Sequence, residues 1–206
     1  MKLVLATRNK GKIKEIKALL SDMSIEILSL SDFKNIPKIP ETGKSFLENA
    51  INKAKTVAYL TGYWALADDS GLCVDYLNGA PGIYSARFAG ENATDKENNE
   101  KLLRLLKDVS WEKRKAAFIC IIALCNKEGK CITCEGKCEG IITFEPKGEY
   151  GFGYDPIFFV PAYKKTMAEL PPEIKNRISH RAKALEKMKE ILKKILKEEK
   201  NGKISC

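Results

Sequence analysis

Ten consecutive apolar residues, Ala116 to Cys125, constrain this chain more than any other stretch. The run is rich in Ile, is stopped by Asn126 and Gly129, and is far short of the roughly 20 residues that cross a bilayer. It therefore reads as a strand, not a membrane span. The segments before it fit an α/β arrangement. Leu3 to Ala6 reads as a short buried strand and runs into a turn over Thr7 to Lys12. Ile13, Ile16, Leu19 and Leu20 then recur at helical spacing. Ile25 to Leu30 reads as a second strand and Ser45 to Leu60 as a helix with an apolar stripe of Phe46, Ala50, Ala54 and Val57. Trp64 to Ala67 reads as a strand, followed by an acidic turn at Asp68-Asp69-Ser70-Gly71 and more extended chain from Leu72 to Val74. Thr94-x-x-Glu97 is a capping-box pattern that opens a helix.

After the apolar run, Cys131 to Phe144 reads as strand pairs interrupted by Gly136 and Gly140, and Gly148 to Pro156 as a glycine-rich loop. Leu185, Met188, Leu192 and Ile195 mark a final amphipathic helix that Ser179 can cap. Helices and strands alternate early and strands cluster in the middle, which predicts an α/β fold with a mixed sheet. The length of 206 residues fits one domain over 1–197, with room for two lobes and a frayed tail over 198–206.

The N-terminus runs directly into charged residues, so it does not read as a signal peptide, and a cytoplasmic enzyme is expected. The net charge is +9. Such an excess suits either a nucleic-acid surface or a polyanionic small substrate, but much of it lies between Lys183 and Lys203, where a solvated helix face accounts for it. An odd count of seven cysteines predicts reduced thiols. The C-x2-C-x3-C cluster of Cys131, Cys134 and Cys138 lacks an evident fourth zinc ligand, and in strands such residues serve as small hydrophobes.

Four segments carry chemistry. The basic turn joins Arg8, Lys10 and Lys12 to Gly11 at a helix start, where backbone N–H groups attract anions and Thr7 and Asn9 offer hydrogen bonds to phosphate oxygens. It is not a P-loop, and alone it fits a charged surface turn better than a phosphate site. The acidic turn places Asp68 and Asp69 at a strand end. With Glu41 from a Pro-rich loop, it offers the hard oxygen ligands that Mg²⁺ takes alongside substrate phosphates. In Gly151-Phe152-Gly153-Tyr154-Asp155-Pro156, an aromatic between glycines can stack on a nucleobase and Asp155 can accept from a base N–H or a ribose hydroxyl. Lys175, His180 and Arg181 form a donor cluster able to read carbonyl oxygens on a base. Together these are the parts of a nucleotide enzyme.

The ordered set of motifs resembles the inosine/xanthosine triphosphate pyrophosphatase family. The matching residues are Thr7-x-Asn9-x-x-Lys12, Glu41-Thr42-Gly43, Phe46-x-x-Asn49-Ala50-x-x-Lys53-Ala54, Ala67 to Leu72 and Pro81 to Arg87. They continue with Gly151 to Phe158, Thr166-x-Ala168-Glu169-Leu170, Lys175 and Ser179-His180-Arg181. The resemblance implies an elongated mixed β-sheet flanked by helices in two lobes, with the active-site cleft between them. It implies Mg²⁺-dependent hydrolysis of ITP, dITP and XTP to the monophosphate and pyrophosphate by a homodimer. It assigns Thr7 to Lys12 to the phosphates and Asp69 to the activation of water. Asp69 and Glu41 become metal ligands, and Lys53 stabilises phosphate charge. Substrate contacts fall to Ser70, Phe152, Gly153, Tyr154, Asp155, Lys175, His180 and Arg181. A related-fold pyrophosphatase for pyrimidine or modified nucleotides is the nearest rival, and a nucleic-acid-binding module is a more distant one, disfavoured because carboxylates without a metal repel phosphate.

Overall fold

A computed structural model describes residues 1–201 and contains a seven-stranded mixed sheet with helices packed on it. The strands are β1 (Lys2–Leu5), β2 (Glu26–Ser29), β3 (Trp64–Val74), β4 (Lys115–Cys125), β5 (Cys131–Ile142), β6 (Phe158–Val160) and β7 (Lys165–Thr166), in the order β2-β1-β3-β4-β5-β6-β7. β1 runs parallel to both β2 and β3, whereas β6 runs antiparallel to β5 and β7. The helices are α1 (Lys10–Leu19), α2 (Phe46–Thr61), α3 (Asp95–Leu105), α4 (Pro172–Ile178) and α5 (His180–Lys200). The chain partitions into two compact units. The first takes Met1–Asp69, Cys120–Gly136 and the chain from residue 183 onward; the second takes Ser70–Ile119 and Lys137–Ala182. β3, β4 and β5 contribute residues to both.

In the first unit the strand period of two sorts the core. Leu3, Leu5, Leu66, Cys120, Ile122 and Leu124 pack with Ile16 and Leu20 near α1 and with Leu185, Met188 and Leu192 of α5. The alternate residues Val4, Ala6, Ala65, Ala67, Ile121, Ala123 and Cys125 pack with Ala50, Ala54, Val57 and Ala58 of α2. The small residues on that face let α2 lie close to the sheet. Ser45 caps α2 by accepting from Glu48 N, and Gly62, at φ 74°, closes it in the left-handed region that glycine adopts freely. Lys189 ties α5 to the end of α1 through Asp22, at 2.6 and 2.8 Å, and the Leu19 carbonyl. The other α5 lysines at 183, 187, 193, 194 and 197 are exposed, as a solvated charged face requires.

In the second unit Phe118 of β4, Ile142 of β5, Phe158 of β6 and Leu102 of α3 form one core with Leu106, Met167 and Leu170. Arg114 is buried within this unit at 1% exposure. Its guanidinium donates to four carbonyls, those of Ile142 at 2.8 Å, Leu106 at 2.6 Å, Val109 at 3.3 Å and Thr143 at 2.7 Å. Burial draws its pKa down from the ordinary arginine value.

Several expectations are corrected. The acidic turn is not a turn: β3 runs unbroken from Trp64 to Val74 through Asp68, Asp69, Ser70 and Gly71. Gly136 and Gly140 do not interrupt β5 either. At Gly140 a Cβ would stand 2.5 Å from the Phe158 ring, so glycine is there for close packing. Lys10, Gly11 and Lys12 lie in the first turn of α1, with Asn9 as the N-cap, and only the residues before them form the loop. The thiols are not all reduced. Cys125 and Cys131 are bonded, because the turn over 126–130, closed by Asn126 N donating to Lys130 O, sets their Cα atoms 4.2 Å apart. A cysteine count carries no information on that proximity. Cys134 is half-buried and Cys138 is buried. Of the expected tail over 198–206, residues 198–200 complete α5 and 202–206 lie outside the described residues.

Replacing Arg114 by Met should lower the free energy of unfolding by roughly 3–5 kcal/mol, because carbonyls placed around a buried cation lose their donors. Thermal or urea denaturation checks this, and Arg114→Lys should recover little, since an ammonium cannot match the planar fork.

Candidate active site

The expected site residues form two groups, one in each unit. In the first, alternation along β3 puts the adjacent carboxylates on opposite faces. Asp68 shares its face with Leu66, where α1 packs, and Lys12 of α1 pairs with its Oδ1. The Cys120 thiol donates to Asp68 Oδ2 at 2.9 Å. Asp69 shares its face with Ala67, where α2 packs, and Lys53 Nζ lies 2.6 Å from its Oδ1. The same ammonium donates to Glu41 Oε1 at 2.9 Å and to the Asp68 carbonyl at 3.0 Å. Asn49, one turn before Lys53, accepts from Gly43 N at 2.8 Å and so holds the loop that carries Glu41.

The electrostatics follow from burial. Desolvation pushes the Asp69 carboxyl above its ordinary value, against the pull of Lys53. At Lys53 burial favours the neutral amine, but Asp69 and Glu41 together outweigh it, so its pKa is raised and it stays a cation. Two carboxylates already share one cation here. That donor set suits Mg²⁺, which takes one or two carboxylates and draws its other ligands from phosphate and water. Among the described residues no group of three or more His, Cys, Asp or Glu is gathered as a closed metal cage.

The phosphate segment opens with Thr7 Oγ1 accepting from Asn9 N at 3.2 Å and Asn9 Oδ1 capping Lys12 N at 3.0 Å. Lys10 and Gly11 fall at the first turn of α1, and Lys10 is exposed. Arg8 is set apart: its guanidinium donates to the Ile36 carbonyl at 2.7 Å.

In the second unit Phe152 is the hub. Lys175 Nζ lies 4.6 Å from its ring centroid and Arg181 Cζ 5.7 Å. Arg181 donates to Ser70 Oγ at 3.0 Å, and the His180 ring stacks on Phe118 at 4.8 Å. Two of the expected substrate contacts also bond within the protein. Asp155 is 3% exposed, and its Oδ2 accepts from Phe152 N at 2.9 Å and Lys175 Nζ at 2.6 Å, so it holds the loop. Tyr154 is buried, with its hydroxyl on the Ser85 carbonyl at 2.8 Å. Burial, helped by Asp95, pushes that phenol's pKa up. Gly151 sits at φ 80°, and a Cβ there would collide with Asp155 Oδ2.

The Ham1 family model matches residues 3–191. The chain belongs to the Ham1 family. A relative from Desulforamulus reducens, named dITP/XTP pyrophosphatase, is 55% identical across 95% of this chain and 97% of its own. One of the same name from Geobacter sulfurreducens is 54% identical across 93% and 96%. The solved structure of a HAM1 protein from Coxiella burnetii is 47% identical, covers 94% of this chain and 99% of its own, and superposes with a TM-score of 0.87.

Sequence reasoning missed that Lys12 pairs with Asp68 and that Cys120 donates to the same carboxylate. The signal for Asp68 was present, since period-two alternation in a strand must send it to the face opposite Asp69. The turn reading concealed it. For Cys120, 52 positions from Asp68, no local pattern exists.

Asp155→Ala should destabilise the protein by roughly 3–5 kcal/mol, because Lys175 would remain buried without its carboxylate. The double variant Asp155→Ala/Lys175→Met should be more stable than Asp155→Ala alone, as thermal melts would reveal.

Proposed function

We propose that this chain hydrolyses deaminated purine nucleoside triphosphates, ITP, dITP and XTP, to the monophosphate and pyrophosphate with Mg²⁺. The carrying observation is the junction of Lys53 with Glu41 and Asp69, at 2.9 and 2.6 Å, in a chain whose relatives are named dITP/XTP pyrophosphatase. Phosphoryl chemistry demands positioning and charge neutralisation more than covalent participation from the protein. Lys12, Lys53, Thr7, Asn9 and the first-turn amides of α1 bind the phosphates. Asp69 takes a proton from the attacking water. Glu41 and Asp69 would hold Mg²⁺, which when bound acidifies water and neutralises phosphate oxygens.

Phe152 stacks on the base, and Lys175, His180 and Arg181 face its edge. Hypoxanthine and xanthine carry a 6-oxo acceptor that suits donors. Adenine carries an amino donor there, and a buried donor facing a donor discriminates strongly. Asp155 and Tyr154 support the loop from behind. Action in the cytoplasm belongs to the same reading, and assembly as a homodimer rests on the family resemblance. No helix among the described residues is long and apolar enough to cross a membrane.

Pyrophosphate release from ITP, XTP, GTP, UTP and dTTP, with and without Mg²⁺, tests the reading. ITP and XTP should lead by a wide margin only with the metal; preference for a pyrimidine would overturn it. Asp69→Asn should lower kcat by on the order of a hundredfold or more, loss of a general base being worth about 10²–10⁴, with ITP still bound in equilibrium titration. Phe152→Ala should raise KM for ITP by the equivalent of about 1–3 kcal/mol of stacking.

A further inference from the structure

The loop that carries Phe152 is held from α3, a helix that neither the motifs nor the resemblance brought into the site. Asp95 and Asn99 are one turn apart on α3 and share a face. Asp95 Oδ2 accepts the Gly153 N–H at 2.6 Å, and Asn99 Nδ2 donates to the Gly153 carbonyl at 3.1 Å. One helix face thus takes a polar group from each of the two peptides that flank residue 153. Gly153 has φ 64°, a region that residues other than glycine rarely adopt, so the chain's course there depends on what holds it. Asn99 is buried at 8% exposure, yet its Oδ1 has no hydrogen-bond partner among the described residues. A buried amide satisfied at one end only is costly, and the bond it keeps is the one to this loop. The neighbouring Asn98 serves a different segment, through Ala89 N at 2.7 Å and the Ala86 carbonyl at 3.3 Å. The start of α3 is itself firm, since Thr94 and Glu97 form a reciprocal capping box around Asp95.

We propose that Asp95 and Asn99 are positioning residues for base recognition: by fixing both peptides of Gly153 they aim the Phe152 ring at the nucleobase. The inference rests on the reading of Phe152 as the stacking residue. Phe152 is then anchored on both sides, by Asp155 accepting its own N–H and by the α3 clamp on the residue that follows. A ring held in the bound orientation before substrate arrives spares the ordering that binding would otherwise require.

Steady-state kinetics on ITP with the full-length Mg²⁺-loaded enzyme test this. Asn99→Ala and Asp95→Ala should each raise KM about fivefold to tenfold and change kcat by less than about twofold, the pattern of lost binding shared by ground and transition states. Asp95→Asn, which keeps a side-chain oxygen acceptor, should restore most of the KM. In a Phe152→Ala background Asn99→Ala should add less than about twofold, because residues acting through one contact are not additive. Thermal melts confirm folding, and if Asp95→Ala does not fold, Asn99→Ala and Asp95→Asn carry the test. An unchanged KM in Asn99→Ala, beside a raised KM in Phe152→Ala, overturns the positioning role. So does full additivity in the double variant, or a fall in kcat and melting temperature with KM unmoved. An unchanged KM in Phe152→Ala means instead that the stacking reading itself is wrong.

Discussion

Two neighbouring carboxylates can stand in the interior of a strand only if each meets a cation or donor on its own face. That condition, met at Asp68 and Asp69, organises the first unit. α1 must deliver Lys12 to one face of β3 and α2 must deliver Lys53 to the other, and the Asp68 carbonyl receives both ammonium groups. The packing that brings the helices there is ordinary hydrophobic burial, Ile16 on one side and Ala50, Ala54 and Val57 on the other. Buried ion pairs add little net stability, because desolvation offsets the Coulomb gain. What this arrangement secures is placement: a carboxyl kept above its ordinary pKa beside a permanent cation.

The second unit solves a different problem with similar means. A glycine-rich loop has no intrinsic preference for one conformation, so contacts from outside must impose one. Lys175 holds it through Asp155, Tyr154 hooks the Ser85 carbonyl, and α3 grips Gly153. Asp155, Lys175 and Tyr154, which the sequence offers as ligand contacts, also do this work. Phe152 lies beside the charges of Lys175 and Arg181.

Much of this was legible in one dimension. The helix over 46–61, the capping box at Thr94 and the apolar run of β4 each follow from local rules of spacing and capping. The candidate site residues were nominated from the sequence as well, since phosphate, metal and aromatic-ring chemistry restrict which side chains can serve. What was misread shares one cause. Asp-Asp-Ser-Gly is turn-forming by local propensity, and Gly136 and Gly140 weaken a strand by the same measure, yet all six lie inside strands. Tertiary partners reversed the local preference: Lys12 and Lys53 neutralise the aspartates, and the Phe158 ring fills the space at Gly140.

The sequence by itself determined the α/β class, the chemical types in the site and the family, because these depend on periodicity and residue identity. The tertiary structure alone decided which carboxylate meets which lysine, that Asp155 and Tyr154 turn inward, that Cys125 meets Cys131, and that α3 reaches the Phe152 loop. Those are contacts between residues brought together by packing and chain reversal, and no local rule encodes a distance across the fold.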